Sequence, residues 1–164
     1  MVVGRLTIRK LTAADYEAVG RIGFAAWRSS GEGEPAFDQS DVVEAARSAF
    51  FSYPATAKGD VVVAEFGSRV VGWAAREDEP NYISDIWVDP DFQGQGVGSA
   101  LLMCLVDHIL GEGCAAARID TRASNFKAIQ TYERHGFEVF WRGEQFDSSL
   151  GVSLEKVHLA KSLR

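Results

Sequence analysis

Residues 93–99 read QGQGVGS, and this segment restricts the possible folds of the chain more than any other. It follows a strand-like run that ends at Val88 and precedes a long amphipathic run, SALLMCLVDHILGEG, which predicts a helix starting near Gly98. Glycine admits positive φ angles, so successive backbone N–H groups can converge on an anion where a helix N-terminus adds its dipole. The segment therefore predicts a strand, a turn and a helix that together bind a pyrophosphate. The alternative is that its glycines only turn the chain tightly.

The spacing of the glycines separates the known kinds of phosphate site. A dinucleotide fingerprint, G-x-G-x-x-G, would need glycine at position 99 or 101, where the chain has Ser and Leu. A Walker loop would need G-K-S or G-K-T, which the segment lacks. The pattern that fits is Q-x-x-G-x-G, read as Gln93, Gly96 and Gly98. A nucleotide-binding module of another fold is therefore disfavoured.

The rest of the chain predicts one mixed α/β domain over residues 1–164, with the element order β α α β β β α β α β β. The first helix follows a capping box from Thr12 to Asp15, and the second is capped by Ser40 and ends before Pro54. Three strands with short turns between residues 61 and 88 predict an antiparallel meander. Helices after the fourth and fifth strands imply parallel crossovers. The last two strands are expected at 137–142 and 155–163.

The composition excludes several classes of function. A formal net charge of -6 argues against a general affinity for nucleic acid, whose binding proteins present clustered Lys and Arg. No apolar run approaches the roughly 20 residues that a membrane span needs, and the start MVVGRLTIRK lacks the apolar h-region expected of a secretory signal. We therefore expect a cytoplasmic protein with no membrane partner. Cys104 and His108 stand four residues apart, but two ligands do not make a metal site, and we expect no metal.

Two segments carry a resemblance to a known family. VDPDFQGQGVGSALL, residues 88–102, resembles the acetyl-CoA pyrophosphate loop of the GNAT family of N-acetyltransferases, and ASNFKAIQTYERHGF, residues 123–137, resembles its second conserved segment. The resemblance implies a mixed, mostly antiparallel sheet, flanked by about four helices and splayed between strands 4 and 5. It also implies acetyl-CoA as co-substrate. Family loops commonly carry Arg or Lys, which QGQGVGS lacks, and Lys127 is a candidate to compensate.

The resemblance assigns the cofactor-binding residues. The strand before the loop would hydrogen-bond the pantetheine arm through its backbone, as an added strand does. These positions are Ile86, Trp87 and Val88. The loop would hold the pyrophosphate through Gln93, Gly94, Gln95, Gly96, Val97, Gly98 and Ser99.

Asn125 and Tyr132 complete the predicted cofactor site. They are seven residues apart, which places them on one face of a helix about 10 Å apart along its axis. The resemblance implies that Asn125 meets the pantetheine arm and that Tyr132 lies by its sulfur, where the phenol would protonate the leaving thiolate as a general acid. The alternatives are an N-terminal helix role for Asn125 and core packing for Tyr132.

The general base is left open between two carboxylates. The segment RIDTRASN resembles one in the ribosomal-protein alanine N-acetyltransferases, and Asp120 would occupy a glutamate position there. Because Asp is one methylene shorter than Glu, a bridging water is expected. Asp85 is the second candidate. For each residue the alternative is a solvated or salt-bridged carboxylate.

These observations predict an N-acetyltransferase that acts on a primary amine by direct attack in a ternary complex, since no Cys or Ser is placed for a covalent intermediate. The acceptor could be a protein N-terminus, a lysine or a small amine. A non-catalytic acyl-CoA-binding domain is the alternative. An edge strand near the C-terminus could support a homodimer. The family resemblance makes four aromatic residues candidates for the acceptor pocket, and the alternative is that they pack in the core. They are Trp27, Phe37, Phe50 and Phe51. His135 and His158 are expected at the surface or in caps.

Overall fold

The computed structural model describes residues 4–164, so the first three residues of the predicted domain lie outside the described part. The strands are β1 (Leu6–Lys10), β2 (Val61–Phe66), β3 (Arg69–Arg76), β4 (Tyr82–Val88), β5 (Ala116–Arg122), β6 (Glu138–Asp147) and β7 (Val152–Ser162). The helices are α1 (Tyr16–Ser30), α2 (Ser40–Thr56), α3 (Val97–Gly111) and α4 (Phe126–Arg134). Short 3-10 turns precede α1, α2 and the phosphate-loop segment. The predicted order of elements is confirmed.

All seven strands form one sheet in the order β1-β2-β3-β4-β5-β7-β6. Neighbours are antiparallel except β4 and β5, which the α3 crossover makes parallel. The β4–β5 pairing comprises only Tyr82 with Arg118 and Ile83 with Ile119. Beyond Ile83 the two strands diverge, so the predicted splay is present.

A β-bulge in β4 determines which side chains face the splay. Ala75 of β3 pairs with Asp85 and Arg76 pairs with Ile83, so Ser84 is the extra residue. After this bulge, Ile86 packs toward the α3 side of the sheet. The neighbouring residue Trp87 packs on the opposite side, toward α1 and α2.

Apolar stripes of the helices bury both faces of the sheet. On one face α3 contributes Leu101, Leu105 and Ile109, all fully buried as their spacing predicts. On the other face Val19 and Ile22 of α1 pack against β2 and β3. The core therefore packs against both faces of the central strands. The splay between β4 and β5 stays open, because the two strands are not paired there.

The start of α1 matches its prediction, whereas α2 does not. The Asp15 carboxylate accepts the Thr12 N–H at 2.8 Å, as in a capping box. The expected ends of α2 are wrong, because Gln39 rather than Ser40 is its N-cap and the helix runs past Pro54 to Thr56. A proline so close to the helix end removes only one intrahelical bond, and the Thr56 hydroxyl also donates back to the last turn.

The C-terminal hairpin is longer than its sequence suggests. β6 continues to Asp147 and β7 begins at Val152, so most of the stretch expected as a loop is extended strand. The Asp147 carboxylate closes the turn by accepting the N–H groups of Ser149 at 2.9 Å and Leu150 at 3.1 Å. β6 is an edge strand, where the predicted dimer contact would lie. Within residues 4–164 no helix combines the length and apolar character needed to cross a bilayer.

Candidate active site

The glycine-rich segment forms the turn between β4 and α3. Gly94 and Gly96 have φ angles of 77° and 84°, the left-handed region that favours glycine. The first α3 bond comes from Ala100, whose N–H donates to the Gly96 carbonyl at 3.0 Å. The N–H groups at positions 97–99 therefore precede the intrahelical bonding and point out of the helix N-terminus, as an anion site requires.

Gly98 differs from the two turn glycines. Its φ is not positive, and a Cβ added there would have Val88 Cγ2 as its nearest neighbour at 3.6 Å, an ordinary contact. The described fold therefore tolerates a side chain at this position. A glycine there leaves open space beside the bare amides of the helix N-terminus.

Three polar side chains around the loop have defined positions. The Gln93 side-chain amide donates to the Val88 carbonyl at 3.2 Å, so it braces the end of β4. Gln95 and Lys127 are exposed. His135 is the C-cap residue of α4, and its Nε2 lies 3.0 Å from the Ser99 hydroxyl on α3. This link between the two helices was not predicted, because histidine spacing gives no signal for a contact across 36 residues.

The edge of β4 that faces the splay has no strand partner beyond Ile83. β3 pairs with the other edge as far as Val88. The backbone of Ile86, Trp87 and Val88 therefore borders the opening, which is the geometry needed for an added extended ligand. The Trp87 ring meets Phe50 of α2 edge-on, with ring centroids 5.1 Å apart.

Asp85 lies in the splay on the α1 and α2 side. Its Oδ1 accepts a hydrogen bond from Trp87 Nε1 at 3.0 Å. Burial raises the pKa of Asp85 to about 6, the Trp87 and Ser84 hydrogen bonds oppose that rise, and the negative charges of Asp120 and Glu77 add to it. The carboxyl group therefore changes its charge close to neutral pH, where a general base is most effective.

Asp120 reaches the same opening from β5 but is held differently. The Tyr82 hydroxyl lies 3.0 Å from both of its oxygens. His158 of β7, its register partner, has Nε2 3.7 Å from Asp120 Oδ2 and 2.7 Å from Gln145 Oε1. Burial and the Asp120 charge raise the pKa of Tyr82, which keeps the phenol protonated as a donor. His158 lies within β7 rather than in a cap, and its side chain is 28% exposed.

A cavity of about 220 Å³ opens beside Asp120. Side chains from β4, β5, β6 and β7 line it, among them Tyr82, Arg118, Phe140 and His158. The alternation of β5 and β7 accounts for its position, because the flanking residues Ile119 and Leu159 point into the core under α3. The cavity thus lies on the face opposite α3.

Tyr132 and Asn125 are placed by α4. Tyr132 is only 8% exposed, and its hydroxyl has no hydrogen-bond partner within residues 4–164. Burial, followed by the charges of Asp120 and Asp85, raises its pKa. Asn125 is the N-cap of α4 and accepts the Ala128 N–H at 3.3 Å. Its side-chain NH₂ lies 3.5 Å from the Thr121 hydroxyl.

The four aromatic residues expected near the acceptor separate into different environments. Trp27 and Phe37 are buried against each other, with ring centroids 4.4 Å apart. Phe51 is exposed, Phe50 meets Trp87, and the Phe37 ring lies 4.9 Å from the Arg122 guanidinium carbon. Arg122 at the end of β5 donates to the Ser30 carbonyl at 2.7 Å, so it ties the end of α1 to the splay.

A model of the acetyltransferase (GNAT) family matches residues 15–137. The chain therefore belongs to this family and is an acyltransferase. The thialysine N-epsilon-acetyltransferase of Bos taurus is 30% identical over 132 residues, which are 79% of this chain and 73% of the bovine protein.

The resemblance to ribosomal-protein alanine N-acetyltransferases is also found. The ribosomal protein bS18 alanine N-acetyltransferase of Escherichia coli (strain K12) is 49% identical over 53 residues, which are 32% of this chain and 36% of that enzyme. Among solved structures, the PaiA N-acetyltransferase of Thermoplasma acidophilum in complex with coenzyme A superposes with a TM-score of 0.75 at 16% identity. The superposition covers 96% of this chain and 99% of that one, and it confirms the predicted fold class.

A metal centre has no counterpart in the described part of the chain. No group of three or more His, Cys, Asp or Glu side chains within residues 4–164 is arranged to hold an ion. Cys104 Sγ and His108 Nε2 lie 3.7 Å apart, and the other His108 nitrogen is 2.8 Å from Asp60. This histidine therefore belongs to a structural polar cluster with Arg76.

Proposed function

We propose that this protein transfers the acetyl group of acetyl-CoA to a primary amine by direct attack in a ternary complex. One juxtaposition supports the proposal above all others. Asp85, a carboxyl group with a pKa near neutrality, lies on β4 where the strand edge is unpaired. Tyr132, a buried phenol with no hydrogen-bond partner within residues 4–164, belongs to the core cluster against which Ile86 of the same strand packs. Bare helix amides follow that edge directly in the chain.

The residues present fit acetyl-CoA. The amides of positions 97–99 and the open space at Gly98 suit a pyrophosphate, and the free edge of β4 suits an extended pantetheine arm. When bound, acetyl-CoA supplies an acetyl group activated as a thioester. Gln95 and Ser99 can add polar contacts, whereas Gln93 already supports Val88.

Asp85 is our general base. Above about pH 6 its carboxylate is ionised and can accept the proton that the attacking nitrogen loses. As the pH falls below that value the carboxyl becomes protonated and the base is lost, so the rate should show an acidic limb near pH 6. Tyr132, whose hydroxyl stays protonated, donates its proton to the departing sulfur.

Asp120 is less suited to be the base, because the Tyr82 hydroxyl lies 3.0 Å from both of its oxygens, whereas Trp87 donates to only one oxygen of Asp85. A carboxylate has about four lone-pair sites, so it can still bind an N–H of the acceptor. The relatives named above are named for thialysine and for an alanine of ribosomal protein bS18. We accordingly propose a small-molecule or peptide amine as the acceptor.

The proposal is tested by a thermal-shift titration with acetyl-CoA followed by thiol release across a panel of amines. Tyr132→Phe should lower kcat by roughly 100-fold, the size of a lost general acid, with the KM for acetyl-CoA changed less than about twofold. An acetyl-CoA-stabilised protein that releases no thiol with any amine would instead identify a non-catalytic acyl-CoA-binding domain. An unchanged kcat in the variant would remove the role of Tyr132.

A further inference from the structure

A row of polar side chains crosses four strands at the fork of the splay. Tyr82 of β4 contacts Asp120 of β5, His158 of β7 follows, and Gln145 of β6 ends the row. The row lies on the sheet face opposite α3. Of these four residues only Asp120 was expected at the site, so the other three need an explanation.

Tyr82 links β4 to β5 at the point where their pairing ends. It belongs to the last two paired positions before β4 and β5 separate, and its hydroxyl reaches two residues along β5 from its partner Arg118 to Asp120. The hydrogen bond therefore spans the point where strand pairing ends. No backbone bond between the two strands holds Asp120 in place beyond this point.

Asp120 has a competing neighbour on its other side. The His158 Nε2 is 3.7 Å from Asp120 Oδ2, beyond hydrogen-bond length, whereas both Tyr82 contacts are 3.0 Å. Without the Tyr82 hydroxyl, a small rotation of the carboxylate would bring it within hydrogen-bond length of His158. The phenol is thus the contact that keeps the carboxylate directed at the opening.

We propose that Tyr82 is a positioning residue that holds the Asp120 carboxylate in the splay, where it orients the acceptor amine for attack. This role rests on the proposed acetyltransferase function. Tyr82 itself does not touch the reacting atoms. It acts through Asp120, so its contribution should disappear when the Asp120 carboxylate is removed.

The test is a double-mutant cycle with Tyr82→Phe and Asp120→Ala, assayed by thiol release at saturating acetyl-CoA. Tyr82→Phe should lower kcat/KM for the acceptor about 10-fold, the effect of losing a hydrogen bond to a charged group, with the KM for acetyl-CoA unchanged. In the Asp120→Ala background the same change should cost less than about twofold. Tyr82→His keeps a hydrogen-bond donor at this position, so it should recover part of the lost kcat/KM. This variant also tests the role of Tyr82 if Tyr82→Phe fails to fold.

Tyr53→Phe is the matched control. Tyr53 is also a half-buried phenol that donates to a carboxylate, at 2.8 Å to Glu77 Oε1, but it has no contact with Asp120. Any effect of this control on activity should therefore be the same with and without the Asp120 carboxylate.

The possible results distinguish a failure of the positioning role of Tyr82 from a failure of the proposed acetyltransferase function. Additive effects of Tyr82→Phe and Asp120→Ala, or a loss confined to the KM for acetyl-CoA, would overturn the positioning role in an active enzyme. Complete inactivity of Asp120→Ala would identify Asp120 as the base and would also overturn the positioning role of Tyr82. A wild-type protein that shows no turnover with any amine would refute the proposed function first.

Discussion

Replacing Asp85 with asparagine should make the protein more stable at neutral pH while it removes the base. Asparagine keeps an oxygen that can accept the Trp87 hydrogen bond, which is 3.0 Å long in the native protein. It has nearly the same shape as the carboxyl but carries no charge. The substitution therefore measures the free-energy cost of keeping this one carboxylate ionised in the folded protein.

The size of the effect follows from the pKa of Asp85, which rises from 3.8 to about 6 in the folded protein. A raised carboxyl pKa favours folding fully below about pH 3.8, and this contribution is lost as the pH rises through 6. That rise in the pKa corresponds to about 3 kcal/mol. Since Asp85 is half-buried rather than enclosed, we expect a gain of about 1–3 kcal/mol for the variant at pH 7.5.

Urea denaturation of both proteins between about pH 4.5 and pH 7.5 measures the gain. The advantage of Asp85→Asn in the free energy of unfolding should grow by about 1–2 kcal/mol over this range. Glu32→Gln, which removes an exposed carboxylate from the loop after α1, controls for the change in net charge. An advantage that is equal at both pH values, or a variant less stable at pH 7.5, would refute the assignment of a strained carboxylate.

Two further predictions concern the cofactor site. Gly98→Ala should leave the free energy of unfolding within about 0.5 kcal/mol of wild type but raise the Kd for coenzyme A at least about 10-fold in calorimetry, because only a bound ligand needs the space there. Gly111→Ala, also in open space on α3, is the control, and equal binding in both variants would remove the role of Gly98. Asn125→Asp should keep the cap on Ala128 and the stability, yet weaken acetyl-CoA binding through loss of the amide donor, whereas unchanged binding would leave Asn125 a cap only.

Local spacing made most of the fold predictable. The stripe Leu101, Leu105 and Ile109 and the glycines at 94 and 96 act within one helix and one turn, so their pattern is readable along the chain. The splay was accessible only through the family resemblance, because nothing in β4 or β5 alone indicates where their pairing stops. Pro54 was misread because a proline near a helix end costs less than one in its middle.

The polar surroundings of the site could not be predicted. Tyr82 contacts Asp120 across 38 residues, and His158 reaches it through the β5–β7 register. Both contacts depend on which strands are neighbours and in what register, which one sequence does not reveal. The β4 bulge at Ser84 adds a further shift, since simple alternation from Tyr82 would place Asp85 on the opposite face.

The bulge and the splay together explain how two nearby aspartates can take different roles. The extra residue in β4 turns Asp85 to the same face as Tyr82, so both aspartates meet across the opening where strand pairing has ended. Burial raises the pKa of Asp85 most, and the negative charge of Asp120 adds to that rise. The Tyr82 phenol donates to Asp120, whereas Asp85 accepts from the indole N–H of Trp87. Asp85 is therefore the carboxyl group that takes up a proton near neutral pH. The role proposed for Asp120 is to orient the amine.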